Sequence, residues 1–265
     1  SNDTYYVDNV LDVVVETNPV LGSGGRDTIV TTVSYTLGSN VEDIILSGAA
    51  SITGVGNLLN NYMEGNAALN YLSGGLGADT MKGNDGNDTY YVDSIYDVVI
   101  ETNANVGAGG RDTVVSTVSY TLGANLEHLL LSGSASITAV GNNLDNYLEG
   151  NAALNYLSGG LGADTMKGND GNDTYYVDSI FDVVIEANAN VATGGRDTVV
   201  STVSYTLGAN LEYLLLSGNG SITGIGNATA NYIEGNSAVN FIDGKLGADT
   251  MKGNDGNDTY YVDNA

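Results

Sequence analysis

Through the middle third of the chain, apolar residues recur at Tyr90, Val99, Val114, Leu130, Ala139, Leu148, Leu157, Met166 and Tyr175, at intervals of 9, 15, 16, 9, 9, 9, 9 and 9 residues. Each nine-residue unit reads as a turn of about six residues and a strand of about three, with one side chain pointing inward. Glycine and asparagine recur too often for a helical stripe to run long. The two longer intervals coincide with loop signals, Asn103 to Gly110 and Tyr120 to Asn125. A unit that buries one residue cannot stand alone. The pattern therefore predicts stacked coils of two units, eighteen residues each, with alternate strands on opposite sheets.

The same motifs return at longer range. Asn-Asp-Thr-Tyr-Tyr-Val-Asp begins at Asn2, Asn87, Asn172 and Asn257, 85 residues apart each time, and Glu64 to Ile95 is identical to Glu149 to Ile180. The expected fold is an all-β parallel solenoid, continuous over 1–265, with repeats 1–85, 86–170 and 171–255 and a partial repeat 256–265. Eight strands per repeat, an even number, predict that each repeat begins on the same sheet as the last. At ~4.8 Å per coil, three repeats would advance roughly 60 Å. Positions that differ between copies, such as Asp43, His128 and Tyr213, are expected to be exposed, and the single histidine is read as a surface residue.

Charge changes this picture. Acidic residues outnumber basic ones 32 to 7, for a net charge of −25, and 37 glycines stand against one proline. Such a chain repels nucleic acid and anionic lipid, so neither is an expected partner, and no apolar run is long enough to span a membrane. Self-repulsion opposes compaction unless the carboxylates are spread over a solvated surface or cations neutralise them in the folded state. The absence of cysteine excludes disulfides and cysteine-based metal sites. The chain opens inside one copy of the repeated motif and stops just after another, with no secretion signal at either end, as a segment of a longer array would.

The carboxylates sit at fixed places in glycine-rich turns. Gly74-Gly75-Leu76-Gly77-Ala78-Asp79-Thr80-Met81-Lys82 and Gly83-Asn84-Asp85-Gly86-Asn87-Asp88-Thr89-Tyr90-Tyr91 recur unchanged at 159–176 and, with Asp243-Gly244-Lys245 in place of Ser-Gly-Gly, at 244–261. These units resemble the glycine–aspartate nonapeptides of the repeats-in-toxin, or hemolysin-type calcium-binding, family. The resemblance implies a right-handed parallel β-roll with calcium held in the turns. The matching positions are Gly74, Gly75, Gly77, Asp79, Gly83, Asp85, Gly86 and Asp88 in the first block. Gly159, Gly160, Gly162, Asp164, Gly168, Asp170, Gly171 and Asp173 form the second, and Gly244, Gly247, Asp249, Gly253, Asp255, Gly256 and Asp258 the third. Asp97 and Asp182 keep the aspartate in a turn that lacks the glycines.

The chemistry can be argued separately. Calcium takes six to eight oxygens, carboxylate and carbonyl mixed, and a glycine turn bares its carbonyls. Stacked turns offer two half-shells to one ion: Asp79 should face Asn61 and Asp97, and Asp88 should face Asn70. Where asparagine replaces aspartate, the expectation is an amide ladder or a weak site, so about two good sites fall at each repeat junction. Lys245, at a glycine position, places a cation beside one proposed site.

Other residues have simpler readings. Arg26, Arg111 and Arg196 are expected to anchor loops on nearby carboxylates, and Tyr62, Tyr71, Tyr147, Tyr156 and Tyr232 to point outward. Glu64, Glu149 and Glu234 pair with no second acid at catalytic spacing, and no nucleophile or phosphate-loop motif is present, so an enzyme is not expected. The leading functional reading is a calcium-binding structural module of a secreted bacterial protein, folding outside the cell after type I export and extending an adhesin or surface-layer protein. The alternatives are a calcium-dependent polysaccharide-binding module like those beside alginate epimerase domains, and a folding aid for an attached hydrolase or toxin domain.

Overall fold

The structure, a computed structural model, describes residues 1–17, 25–105, 107–190 and 192–263. The described residues contain 27 short strands and no helix, in two compact units, Ser1–His128 and Leu129–Ala265.

In the first unit, one sheet stacks Thr4–Val7, Thr28–Thr31, Asp43–Leu46, Tyr62–Glu64, Thr80–Lys82 and Val98–Ile100. The other stacks Tyr35–Thr36, Ile52–Val55, Asn70–Ser73, Thr89–Val92 and Thr113–Ser116. The pairings in both are parallel. In the second unit, Thr138–Val140, Tyr156–Ser158, Thr174–Val177, Thr198–Ser201, Tyr213–Leu216, Tyr232–Glu234 and Thr250–Lys252 form one face. Parallel ladders through Thr165–Lys167 and through Thr223–Ile225 supply the strands between. Each unit is thus a parallel β-solenoid. In the nonapeptide stretches the register confirms the eighteen-residue coil, Tyr62 pairing with Thr80 and Tyr71 with Thr89.

One or two inward residues in most strands make the core. Ile29, Ile44, Met63, Met81 and Val99 lie one above another, and Leu72, Tyr90 and Val114 do the same on the facing sheet, all of them buried. Each such side chain contributes about 1.5–3 kcal/mol on burial, so a single coil is marginal and the stack is stable.

The structure corrects four expectations. The inward residues of His128–Leu131 are Leu129 and Leu131, and Leu130 is not buried, because a run of three leucines carries no alternation to mark the face. The segment read as a second loop holds an extra strand, Tyr120–Thr121, with equivalents Tyr35–Thr36 and Tyr205–Thr206. The second and third repeats therefore have nine strands each, an odd number, and successive repeats begin on different sheets: Thr4–Val7 joins Thr28–Thr31, whereas Thr89–Val92 stacks on Asn70–Ser73. Last, Asp43, His128 and Tyr213 are half-buried rather than exposed.

The remaining insertion leaves the roll without breaking it. Thr89 pairs directly with Thr113, so the 24-residue coil rejoins its sheet in register and the extra residues bulge outward. Val106, within the loop predicted at 103–110, lies outside the described residues.

Candidate metal centre

The residue just before each strand links one coil to the next. The Asn61 amide donates to Asp79 Oδ1 at 2.7 Å, and the Asp79 amide to Asp97 Oδ1 at 3.0 Å. On the other sheet, Asn70 N–H reaches Asp88 Oδ1 at 2.7 Å and Asp88 N–H reaches Asp112 Oδ1 at 2.7 Å. Asp79 therefore lies between Asn61 and Asp97, and Asp88 beside Asn70, as the spacing predicts. The second unit repeats the ladder from Asn146 to Asp164 to Asp182, and from Asn155 to Asp173 to Asp197. Asp249 and Asp258 take the amides of Asn231 and Asn240, both at 2.8 Å.

Glycine is what lets the coils close up here. Gly77 has φ +147°, and a Cβ there, or on Gly75, would lie 2.5 Å from the carbonyl oxygens of Leu59 and Asn57 respectively. Those carbonyls thus point into the turn of the next coil. On Gly74 a Cβ would run into the Asp79 carboxylate itself. Gly160 and Gly162 hold the same relation to Asn142 and Leu144, and Gly159 to Asp164. Gly83, Gly168 and Gly253 press likewise on Asp88, Asp173 and Asp258, Gly244 presses on Asp249, and Gly86, Gly171, Gly247 and Gly256 face carbonyls of the preceding coil.

Asparagine and aspartate then part company. Asn61 Oδ1 accepts the Asn57 amide and its Nδ2 donates to the Glu42 carbonyl, while Asn70 closes its turn through Asn66 N and Ile52 O. These amides are satisfied within the protein. Asp79, Asp88, Asp164 and Asp173 are almost wholly buried, and in each the second oxygen, Oδ2, has no hydrogen-bond partner. An orphaned buried carboxylate oxygen is costly, and burial drives the carboxyls of Asp79 and Asp164 up to about 6 and those of Asp88 and Asp173 up to about 7. A hard cation, supplying positive charge to carboxylate and carbonyl oxygens, fits this arrangement.

Not every expected ligand is left open. Asp97 Oδ2 accepts the amides of Asp93 and Ser94, both at 3.1 Å, and Asp182 closes its turn in the same way. Asp85 and Asp170 each take an asparagine amide, from Asn103 and Asn188. Asp255 is exposed. Lys245 occupies its glycine position at φ +63° and pairs with Asp243 at 2.9 Å.

Other charges find local partners. Glu64, Glu149 and Glu234 pair across the ladder with Lys82, Lys167 and Lys252 at 2.7–2.8 Å, and accept the hydroxyls of Tyr62, Tyr147 and Tyr232. Arg26 forms a 2.6 Å ion pair with Asp43, while Arg196 donates to the Tyr213 hydroxyl at 3.2 Å. The arginine thus meets whichever polar group its copy presents.

Two acidic residues per repeat escaped the sequence reading. Glu101 and Asp112, from the 24-residue coil, join Asp88 in a buried cluster whose ligand atoms lie within 4.8 Å of one another. Glu186 and Asp197 join Asp173 identically, and Glu16 and Asp27 meet the more exposed Asp3. Tyr90 and Tyr175 donate their buried hydroxyls to Glu101 and Glu186. The signal is their period: Glu16, Glu101 and Glu186 recur at 85 residues, as do the aspartates of Gly-Gly-Arg-Asp-Thr.

Fold and turns define a parallel β-solenoid that lines its turns with oxygens suited to a hard cation. Residues 55–94, 140–175 and 225–264 match the family model described as RTX calcium-binding nonapeptide repeat (4 copies), so these segments carry repeats of that family. The chain is accordingly a calcium-binding repeat module. No curated protein and no solved structure matches it.

Proposed function

We propose that this chain is a calcium-dependent folding and extension module of a secreted protein, with the 85-residue repeat as the unit of extension. The observation that carries this reading is the set of orphaned Oδ2 atoms on Asp79, Asp88, Asp164 and Asp173, each held in a turn whose glycines bring the backbone close to the carboxylate. Without a cation these buried charges repel and lack partners. With one, the same groups bind adjacent coils together, so binding and folding are one event. Sites on Asp79 and Asp88, and on Asp164 and Asp173, amount to about two ions at each complete repeat junction. RTX repeats are typical of secreted extracellular proteins, where calcium is abundant; a chain that stays unfolded in low cytosolic calcium and folds outside suits type I export.

Far-ultraviolet circular dichroism of chelator-treated protein during a calcium titration tests the proposal. The expected result is a cooperative change from coil to β signal that magnesium does not reproduce. A full β spectrum indifferent to chelator and calcium would overturn it.

A further inference from the structure

Each repeat carries a buried acidic cluster that the nonapeptide motif does not describe. Asp88 belongs to the motif, but Glu101 and Asp112 come from opposite ends of the bulge in the 24-residue coil, which is an insertion relative to the eighteen-residue coils around it. All three are over nine-tenths buried, as are Asp173, Glu186 and Asp197.

Hydrogen bonds account for only part of these carboxylates. Asp88 Oδ1 takes the Asn70 amide, Asp112 Oδ1 takes the Asp88 amide, and Glu101 Oε1 takes the Tyr90 hydroxyl. Asp88 Oδ2 and Glu101 Oε2 have no partner, nor do Asp173 Oδ2 and Glu186 Oε2. Two unpartnered oxygens per cluster, from residues 13 positions apart, are thus buried beside a third carboxylate. No basic side chain is paired with any of the six residues among the described ion pairs.

We propose that Glu101 and Asp112 complete the site at Asp88, and Glu186 and Asp197 the site at Asp173, for a hard, oxygen-seeking divalent cation, calcium under extracellular conditions, so that each of these ions also pins the inserted coil to the roll. Ligand oxygens within 4.8 Å of one another can share a shell of 2.3–2.6 Å radius around one ion. An all-carboxylate set excludes soft metals as the preferred occupant. The role follows from the topology: a cation here ties the start of the bulge (Glu101) and its end (Asp112) to the preceding nonapeptide turn (Asp88). The first copy, with Asp3 and Glu16 less buried than their counterparts, makes a more open version of the same site.

The inference shares its cation with the turn reading, so the test must separate the two. Native mass spectrometry of the calcium-loaded full chain would compare wild type with the double variant Glu101→Gln and Glu186→Gln. Glutamine keeps the size of the side chain and an acceptor for the tyrosine hydroxyl. The expected result is two fewer calcium ions per chain with the β spectrum retained; an unchanged ion count overturns the proposal. Should the double variant fail to fold, anomalous diffraction from wild-type crystals grown with terbium decides. Peaks between Asp88, Glu101 and Asp112 and between their equivalents support the sites, and peaks confined to the glycine turns refute them. Peaks at the clusters alone would sustain this inference and refute the turn reading at Asp79 and Asp164.

Discussion

At a single turn position, one atom separates a self-sufficient turn from one that needs an ion. Asn61 and Asp79 occupy equivalent places one coil apart, yet only the amide satisfies both of its polar atoms. Asp79→Asn with Asp164→Asn should therefore lower the number of bound calcium ions while making the calcium-free chain easier to fold. Removing an unpartnered buried charge from each turn should stabilise the calcium-free state by roughly 1–3 kcal/mol per site. Chelated wild type and variant can be compared by circular dichroism at pH 7.5, where equal β content would contradict the argument. The aspartates of this site were legible in the sequence because glycine spacing marks them. Glu101 and Asp112 recur at the 85-residue period but lie outside the nonapeptides, and only the fold brings them to Asp88. Nor does sequence alone reveal that Asp97, alike in spacing to Asp79, is already satisfied by two amides of its own turn.

Among elements, the two-residue strands do more than their length suggests. Tyr35–Thr36 has Tyr35 accept the Val14 amide at its hydroxyl, 3.2 Å away, and Tyr120 and Tyr205 do the same for Val99 and Val184. A side chain thus takes over a ladder bond that a missing neighbour strand would have made. Tyr35→Phe should cost about 1 kcal/mol of stability, the usual worth of one neutral hydrogen bond. Urea unfolding of the calcium-loaded protein would check this, and an unmoved midpoint would contradict it. The nonapeptide strands were readable because each has one inward residue at a nine-residue step. The two-residue strand was not, since Tyr-Thr-Leu-Gly-Ala-Asn has the composition of a turn and only its stacking on Gly54 and Val55, seen in the first copy, makes it a strand. Missing that one element also reversed the parity of the whole repeat.

Over the whole molecule, protons and calcium compete for the same buried carboxylates. Burial holds Asp79 and Asp164 at about 6, Asp88, Asp112, Asp173, Asp197 and Glu101 at about 7, and Glu186 at about 8. All of these lie above the ordinary carboxyl range that the unfolded chain would show. Between pH 4 and pH 7 the calcium-free folded state therefore binds more protons than the unfolded one, and its stability falls as pH rises. The contribution is fully present below the unfolded values and is lost as pH passes through 6 to 8. Chelated protein should accordingly be more folded at pH 5 than at pH 7.5, with protons partly replacing calcium. Calcium-loaded protein should show the opposite dependence of affinity, binding more tightly as the carboxyls ionise. A pI near 4.1 sets the lower bound of a useful titration, because solubility drops as net charge approaches zero. Circular dichroism from pH 5 to pH 8, with chelator and with calcium, measures both trends. If the chelated chain were instead most folded at pH 8, the buried acids could not be what keeps it open, and the proposed coupling of folding to calcium would need another cause.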